Sequence, residues 1–443
     1  MDASIEHTGC VVVGGGPAGM FLGLLLARCG VRVTVLEKHR DFLRDFRGDT
    51  VHASTLRLLD ELGLGARFAA LPQQRVERVR VQLDEGEFHL PDFTRLPKPY
   101  SYMVMAPQWD LLNLLAEVGA AEPTFRLEMQ AEAVDLQTAD GTVTGVVYRD
   151  AAGELHRVAA PLTVACDGRS SAVRRLGGLD PELEQFGAPE DTLWFRLPRH
   201  PTDSDSLVIR FSAGRGLILV DRGDYWQCAY LIRKGSFDQL RGQDIDVLRR
   251  GVGALLPWLA DRTGTLTSWD DVRVLDVKID RLRRWYTPGL LCIGDAAHAM
   301  SPIAGVGINL AIQDAVATAR MLAGPLARGA VTTAELAAVQ RRRWRPTVVV
   351  QNMQRSIQRS VYPPGSTPDE HATVRQVQGR RKLALPLRLV KRFPVLGTPP
   401  ARLVGLGLRR ERPPVGAIRT GSTMTPDGTA APDDVPATPP PAT

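Results

Sequence analysis

A glycine turn close to the N-terminus, Gly14-x-Gly16-x-x-Gly19, constrains this chain more than any other feature. The β-branched run from Gly9 to Val13 leads into it, and a helix-compatible stretch runs from it to Arg28. A second apolar run, Val31 to Leu36, then ends at Glu37. Strand, turn, helix and second strand within about thirty residues form the start of a βαβ unit. Each glycine has its own reason. Gly14 permits the tight turn, Gly16 lets the backbone approach a pyrophosphate, and Gly19 lets helix and strand pack closely. The helix that opens at Pro17 and Ala18 offers free N–H groups and a partial positive charge to phosphates. Glu37 is placed to accept hydrogen bonds from ribose hydroxyls, and the basic Lys38, His39 and Arg40 follow it. The pattern specifies a dinucleotide and leaves NAD, NADP and FAD open.

Length and composition narrow the setting. At 443 residues, 44% hydrophobic and 23% charged, the chain is long for one domain, and two intertwined lobes are expected. A net charge of +6 invites a nucleic-acid partner, but the excess collects between Arg380 and Arg412 and no nucleic-acid module accompanies it, so none is expected. The five cysteines form no CxxC pair, and Cys10, Cys166 and Cys292 sit in apolar runs. That pattern predicts buried thiols in a reducing cytoplasm, with no disulfide framework and no metal site. The run from Cys10 to Cys29 is interrupted by glycines and a proline, so it reads as strand, turn and helix rather than a membrane span or signal peptide.

The rest of the chain organises around that unit. Helices are expected over Ser54–Leu62 and Trp109–Glu117, and short strands alternate with turns from Arg126 to Val164. Asp191 to Ile232 reads as a second sheet rich in aromatics. Leu290 to Ile293 is a buried strand, followed by a helix from about Ile308 to Leu322 and long helices between Thr333 and Gln358. The fold class is α/β: a Rossmann-like lobe (residues 1–75, 101–180 and 275–325) interleaved with a mixed-sheet substrate lobe (76–100 and 181–274). A C-terminal helical region covers 326–412, and the Pro/Ala/Thr-rich tail, 413–443, is expected to be disordered.

Two further motifs bear on the cofactor. The stretch Gly289 to Asp314 reads GLLCIGDAAHAMSPIAGVGINLAIQD, with Gly294-Asp295 at a strand end and Pro302, Gly305 and Gly307 ahead of the next helix. Its backbone N–H groups can face developing negative charge, as on a reduced flavin. Asp167-Gly168, with Ser171 and Arg174 following, forms the third element. Together these residues resemble the FAD-dependent aromatic hydroxylases of the para-hydroxybenzoate hydroxylase type, over roughly Cys10 to Leu322.

The resemblance implies FAD as cofactor and NAD(P)H as co-substrate. It also implies that Gly14, Gly16, Pro17, Ala18, Gly19, Glu37 and Lys38 hold the ADP half. Arg47 would sit beside the cofactor, Gln108 would reach the ribityl or phosphate region, and Asp167 would lie near the pyrophosphate. Asp295 would bind the ribityl chain, while Pro302, Gly305, Gly307, Ile308 and Asn309 would line the isoalloxazine ring. In such enzymes NAD(P)H reduces the flavin, O2 adds at C4a, and the resulting hydroperoxyflavin transfers oxygen to an aromatic or polyketide-like molecule. His52 is the residue to face ring or substrate, with packing as its other role; His298 is expected to be structural.

Substrate contacts are expected from Trp194, Phe195, Phe211, Tyr225, Trp226 and Tyr230, with alternation placing half of them on the cavity face. The basic C-terminal stretch reads as a solvated helix or lid, with weak contact to an anionic membrane surface or reception of a lipophilic substrate as its partner reading. Monomer and homodimer both stay open. Competing readings are a flavin dehydrogenase, oxidase or prenyl reductase on the same scaffold, and a non-catalytic escort protein that keeps the dinucleotide fold.

Overall fold

Fully buried β-branched runs dictate the central layer. Cys10–Val13 and Val33–Glu37 have no exposed residue, which suits parallel strands covered on both faces. They pair in parallel with each other, and outward with Thr163–Ala165 and Phe125–Met129. Leu290–Cys292 adds a fifth parallel strand and Tyr286–Thr287 an antiparallel edge, giving six strands. The computed structural model of the chain describes residues 5–43, 50–84, 86–203, 207–212, 215–361 and 394–419.

Two long helices, Pro17–Arg28 and Gly307–Ala327, share the core of this sheet. A four-stranded sheet (Glu6–His7, Leu155–Ala159, Thr142–Arg149, Glu132–Ala139) joins the same core. The second parallel strand starts at Val33 rather than Val31. Gly30, at φ +81°, donates to Ala27 O and closes the preceding helix over those two positions.

A separate seven-stranded sheet runs Arg273–Leu275, Glu190–Pro198, Tyr225–Arg233, Arg215–Asp221, Val208–Ser212, Arg78–Leu83, Gly86–Asp92. It is antiparallel except where Val208–Ser212 runs parallel to Arg78–Leu83. Helices Phe237–Arg241 and Asp246–Leu255 and the 3-10 segment Pro257–Thr265 cover one face, against Leu193, Phe195, Trp226 and Tyr230. The opposite face presents Val81, Ile209, Ile218 and Val220 towards Ala304, Val306 and Leu310 of the other lobe.

The long helices expected after Thr333 are one helix, Thr333–Val361, which passes through Pro346. The expected disorder after Pro413 also needs correction at its start. Ala417 is buried, Arg419 N donates to Glu61 O, and Ala417 O accepts from Arg28. Apolar burial of Ala417 against the first helix holds this short piece; residues 420–443 lie outside the described residues. So do residues 380–393 of the basic stretch. What is described of that stretch is a helix, Thr398–Leu406, whose apolar side buries Ala401 and Val404; Arg402, Arg409 and Arg412 are exposed, and Arg410 pairs with Glu61. Among the described residues no helix is long and apolar enough to cross a membrane.

Candidate functional site

The first glycine turn is built as its residues require. Gly14 has φ +107°, and a Cβ there would stand 2.5 Å from Cys166 O, so the turn lies directly against the Asp167-Gly168 segment. A Cβ on Gly19 would overlap the Gly14 carbonyl. Gly16 is different. It has an ordinary extended conformation, and nothing lies within 4 Å of where its Cβ would point. The backbone at the N-terminus of Pro17–Arg28 is therefore open to a ligand. Glu37 is buried; its Oε2 accepts from Gly15 N at 2.9 Å and its Oε1 from His39 N at 3.0 Å. Lys38 is exposed beside it.

Asp167 has a local task. Its Oδ1 accepts from Ser171 Oγ (2.5 Å) and its Oδ2 from Val173 N (3.1 Å), which shapes the turn into the short helix Ala172–Leu176. The part of this element left open is the backbone at Gly168, left-handed at φ +83° with nothing within 4 Å on its Cβ side. Arg174 is buried and donates to Asp180 and to Ala296 O, tying this segment to the Gly294-Asp295 turn. Asp295 is half-buried and accepts from Arg169 at 3.1 Å.

The turn after Asp295 is held from three sides. Ala304 and Gly305 both take left-handed φ, 64° and 60°, and a Cβ on Gly305 would come within 2.6 Å of Thr50 Oγ1. Asn309 uses its side chain as a staple: Oδ1 accepts from His52 N and Thr55 Oγ1, and Nδ2 donates to Thr50 O. Its side chain is therefore committed to holding the turn. Gln354, on the Thr333–Val361 helix, donates to Ser301 O and Ile303 O. Pro302, Gly305, Gly307 and Ile308 are left half-buried at the surface of the turn. A Cβ on Gly294 would stand 3.1 Å from Ala311 Cβ and 3.5 Å from Ala18 Cβ, so this turn lies close against the start of the Pro17–Arg28 helix.

Gln108 is half-buried at the start of Gln108–Ala120, just after the Met103–Met105 strand that pairs with Thr50–Val51. Arg47 lies outside the described residues. His52 is fully buried, with Nε2 3.3 Å from Gly305 O and its ring edge-on to Phe93. Burial pushes its pKa down to about 4, against the pull of hydrogen bonds to Gly305 and Ala304, so at neutral pH it is an uncharged prop behind the turn. His298 is buried too, 2.6 Å from Asp314 Oδ2 and packed on Trp285.

These segments bring together a buried carboxylate, two open glycine backbones, a half-buried aspartate at a strand end and a second helix N-terminus. Facing the turn is an apolar row across the sheet, Trp194–Ala229–Ile218–Ile209–Val81, each pair directly opposite in register. Of the six aromatics expected to contact substrate, Trp194, Phe211 and Tyr225 share the face of this row. Phe195, Trp226 and Tyr230 point to the helix-covered core. Met103, Met105, Met300 and Met353 complete the junction, a pliable polarisable lining that has no linear motif. Sequence reasoning also missed Asp314, Arg343 and Glu411; a lone aspartate inside an apolar helix was the available signal, since a buried charge requires a partner.

Comparison with known proteins bears on family and fold. The FAD binding domain family matches residues 7–353. The 6-methylpretetramide 4-monooxygenase of Streptomyces rimosus is 36% identical over 344 residues, covering 76% of this chain and 80% of that protein. The protoasukamycin 4-monooxygenase of Streptomyces nodosus subsp. asukaensis is 27% identical over 349 residues, covering 74% and 82%. Among solved structures, P. aeruginosa PqsL in complex with 2-aminobenzoylacetate superposes with a TM-score of 0.70 at 22% identity, over 83% of this chain and 99% of that one. At that identity the likeness concerns the fold.

Proposed function

This chain belongs to the FAD binding domain family, and from that premise we propose that it is the hydroxylase of a polyketide-like aromatic, seated between the Ala304–Asn309 turn and the Ile218 row. Its activity is that of a FAD-dependent monooxygenase that consumes NAD(P)H and O2. The observation that carries the substrate reading is the 36% identity to an enzyme named for a polycyclic aromatic, 6-methylpretetramide, together with the broad apolar lining of the junction.

FAD, when bound and reduced by NAD(P)H, supplies the oxygen-activating chemistry. The chain's own residues do the rest. Gly14, Gly16 and Gly19, with the N-terminus of Pro17–Arg28, would hold the diphosphate, and Glu37 the adenosine ribose. Asp295, positioned by Arg169, would take the ribityl hydroxyls. Backbone N–H groups around Gly307 and Ile308, at the positive end of Gly307–Ala327, would face the pyrimidine edge of the ring and favour negative charge there. Val81, Ile209, Ile218 and the four methionines would exclude water from the reacting face.

Purified protein should be yellow. It should bleach with NAD(P)H without air and recolour on oxygenation. Polycyclic phenols should stimulate NAD(P)H oxidation, with an atom of 18O2 recovered in the product. NAD(P)H oxidation that yields only hydrogen peroxide with every polycyclic phenol, alongside 18O incorporation into a small monocyclic phenol, would overturn the polyketide reading.

A further inference from the structure

The Gly307–Ala327 helix carries a single carboxylate, Asp314, with no exposed surface. Its Oδ2 accepts from Gly294 N at 3.1 Å and meets His298 Nε2 at 2.6 Å; its Oδ1 accepts from Arg343 Nε at 2.7 Å. Burial opposes ionisation of Asp314, but the His298 and Arg343 charges and their hydrogen bonds outweigh it and keep its carboxyl below the usual range. Arg343 is itself fully buried. Its Nη1 lies 3.2 Å from Glu411 Oε1, and the other oxygen of Glu411 holds Arg342 Nη2 at 2.6 Å. Glu411 belongs to the 398–419 strap, almost seventy positions along the chain from Arg343.

We propose that Glu411 is a positioning residue for the flavin turn, so that seating of the strap and binding of FAD at Gly294-Asp295 form one coupled equilibrium. The inference rests on the reading of that turn as a FAD contact. Arg343 is a buried cation shared by two carboxylates. When Glu411 leaves, the guanidinium has one carboxylate left, and its planar fork favours both oxygens of Asp314 at once. That bidentate pairing takes Oδ2 from Gly294 N–H, and the backbone ahead of Asp295 loses its anchor. Coupling between two sites is reciprocal, so FAD that fixes the turn must also favour the seated strap.

The test is FAD affinity of the full-length apoprotein, titrated by flavin fluorescence, with trypsin cleavage at Arg409 and Arg410 as a second readout. Glu411→Gln should weaken FAD roughly five- to twentyfold, as expected for coupling of ordinary strength, and Glu411→Asp should restore most of that loss. Saturating FAD should slow strap cleavage in the unmodified protein and not in Glu411→Gln. Unchanged affinity in Glu411→Gln, with cleavage indifferent to FAD, overturns the coupling. If Glu411→Gln does not fold, Arg342→Ala replaces it: weaker FAD binding supports the coupling and unchanged binding overturns it. Asp295→Ala separates the two readings. Normal FAD affinity there defeats the site assignment and the coupling with it, whereas weakened affinity beside a normal Glu411→Gln defeats the coupling alone.

Discussion

Gly14 and Gly16 stand two residues apart, yet the same substitution should have opposite consequences at each. An alanine at Gly14 meets a left-handed φ and the backbone of Cys166. Gly14→Ala should therefore cost the apoprotein about 2 kcal/mol or more, read as a lower urea midpoint. At Gly16 the methyl group meets no protein atom and the conformation is one alanine adopts. Gly16→Ala should leave apoprotein stability within about 0.5 kcal/mol while raising the FAD dissociation constant at least tenfold, because the methyl group occupies the approach of the diphosphate. Equal FAD affinity in the variant would place the diphosphate elsewhere.

His52 makes a pH prediction at the same scale. Its folded pKa, near 4, lies below the unfolded value of about 6.5, so as pH falls the unfolded chain takes up the proton first. The stability due to neutral His52 is complete above about pH 6.5 and is lost between there and pH 4, by roughly 3 kcal/mol at most. His52→Gln keeps a donor for Gly305 O and removes the titration. Urea midpoints measured from pH 7 to pH 4.5 should fall more steeply for the unmodified protein; parallel curves would mean that His52 does not titrate alone.

Alternation along the strands of the seven-stranded sheet divides structural from substrate-facing residues. Phe195 and Ile218 lie on opposite faces, one under the Asp246–Leu255 helix and the other over the Ala304–Asn309 turn. Phe195→Ala should lower stability by about 3–5 kcal/mol and leave the KM for the aromatic substrate unchanged. Ile218→Phe should do the reverse: FAD content and melting temperature stay near normal, and KM rises several-fold for a polycyclic substrate and less for a single-ring phenol. The Thr333–Val361 helix works by another logic. Its buried side mixes apolar and polar groups: Val350 and Met353 join the junction's apolar cluster, while Gln351 and Gln354 donate to Ala299 O, Ser301 O and Ile303 O and so read the backbone of the Ser301–Asn309 turn. Hydrophobic periodicity is blind to such a face, which is why the sequence suggests only long helices there.

At the scale of the molecule, the proposed cofactor site draws on segments from residue 14 to residue 309, and a ligand that bridges them must report on the whole fold. FAD at a hundredfold excess over its dissociation constant should stabilise the protein by about 2.7 kcal/mol by mass action. That should appear as a rise of several degrees in the melting temperature at fixed scan rate. A melting temperature unmoved by saturating FAD would contradict a site assembled from both glycine turns.

The local chemistry of this site was legible in the sequence because it lives in short contiguous runs. Gly14, Gly16 and Gly19 between two buried strands, Glu37 at a strand end, and Gly294-Asp295 before a glycine-bearing helix start each state a backbone requirement that side chains elsewhere do not alter. Neighbourhoods made by distant segments were not legible. Which aromatics face the junction was decided by sheet register and by which face the helices cover. That Asn309 is a staple, that His52 sits behind the turn, and that Glu411 answers a charge beside the Gly294-Asp295 turn depended on packing between residues tens to hundreds of positions apart. Burial made those pairings obligatory, because a charge or amide removed from water must find its partner wherever the fold brings one.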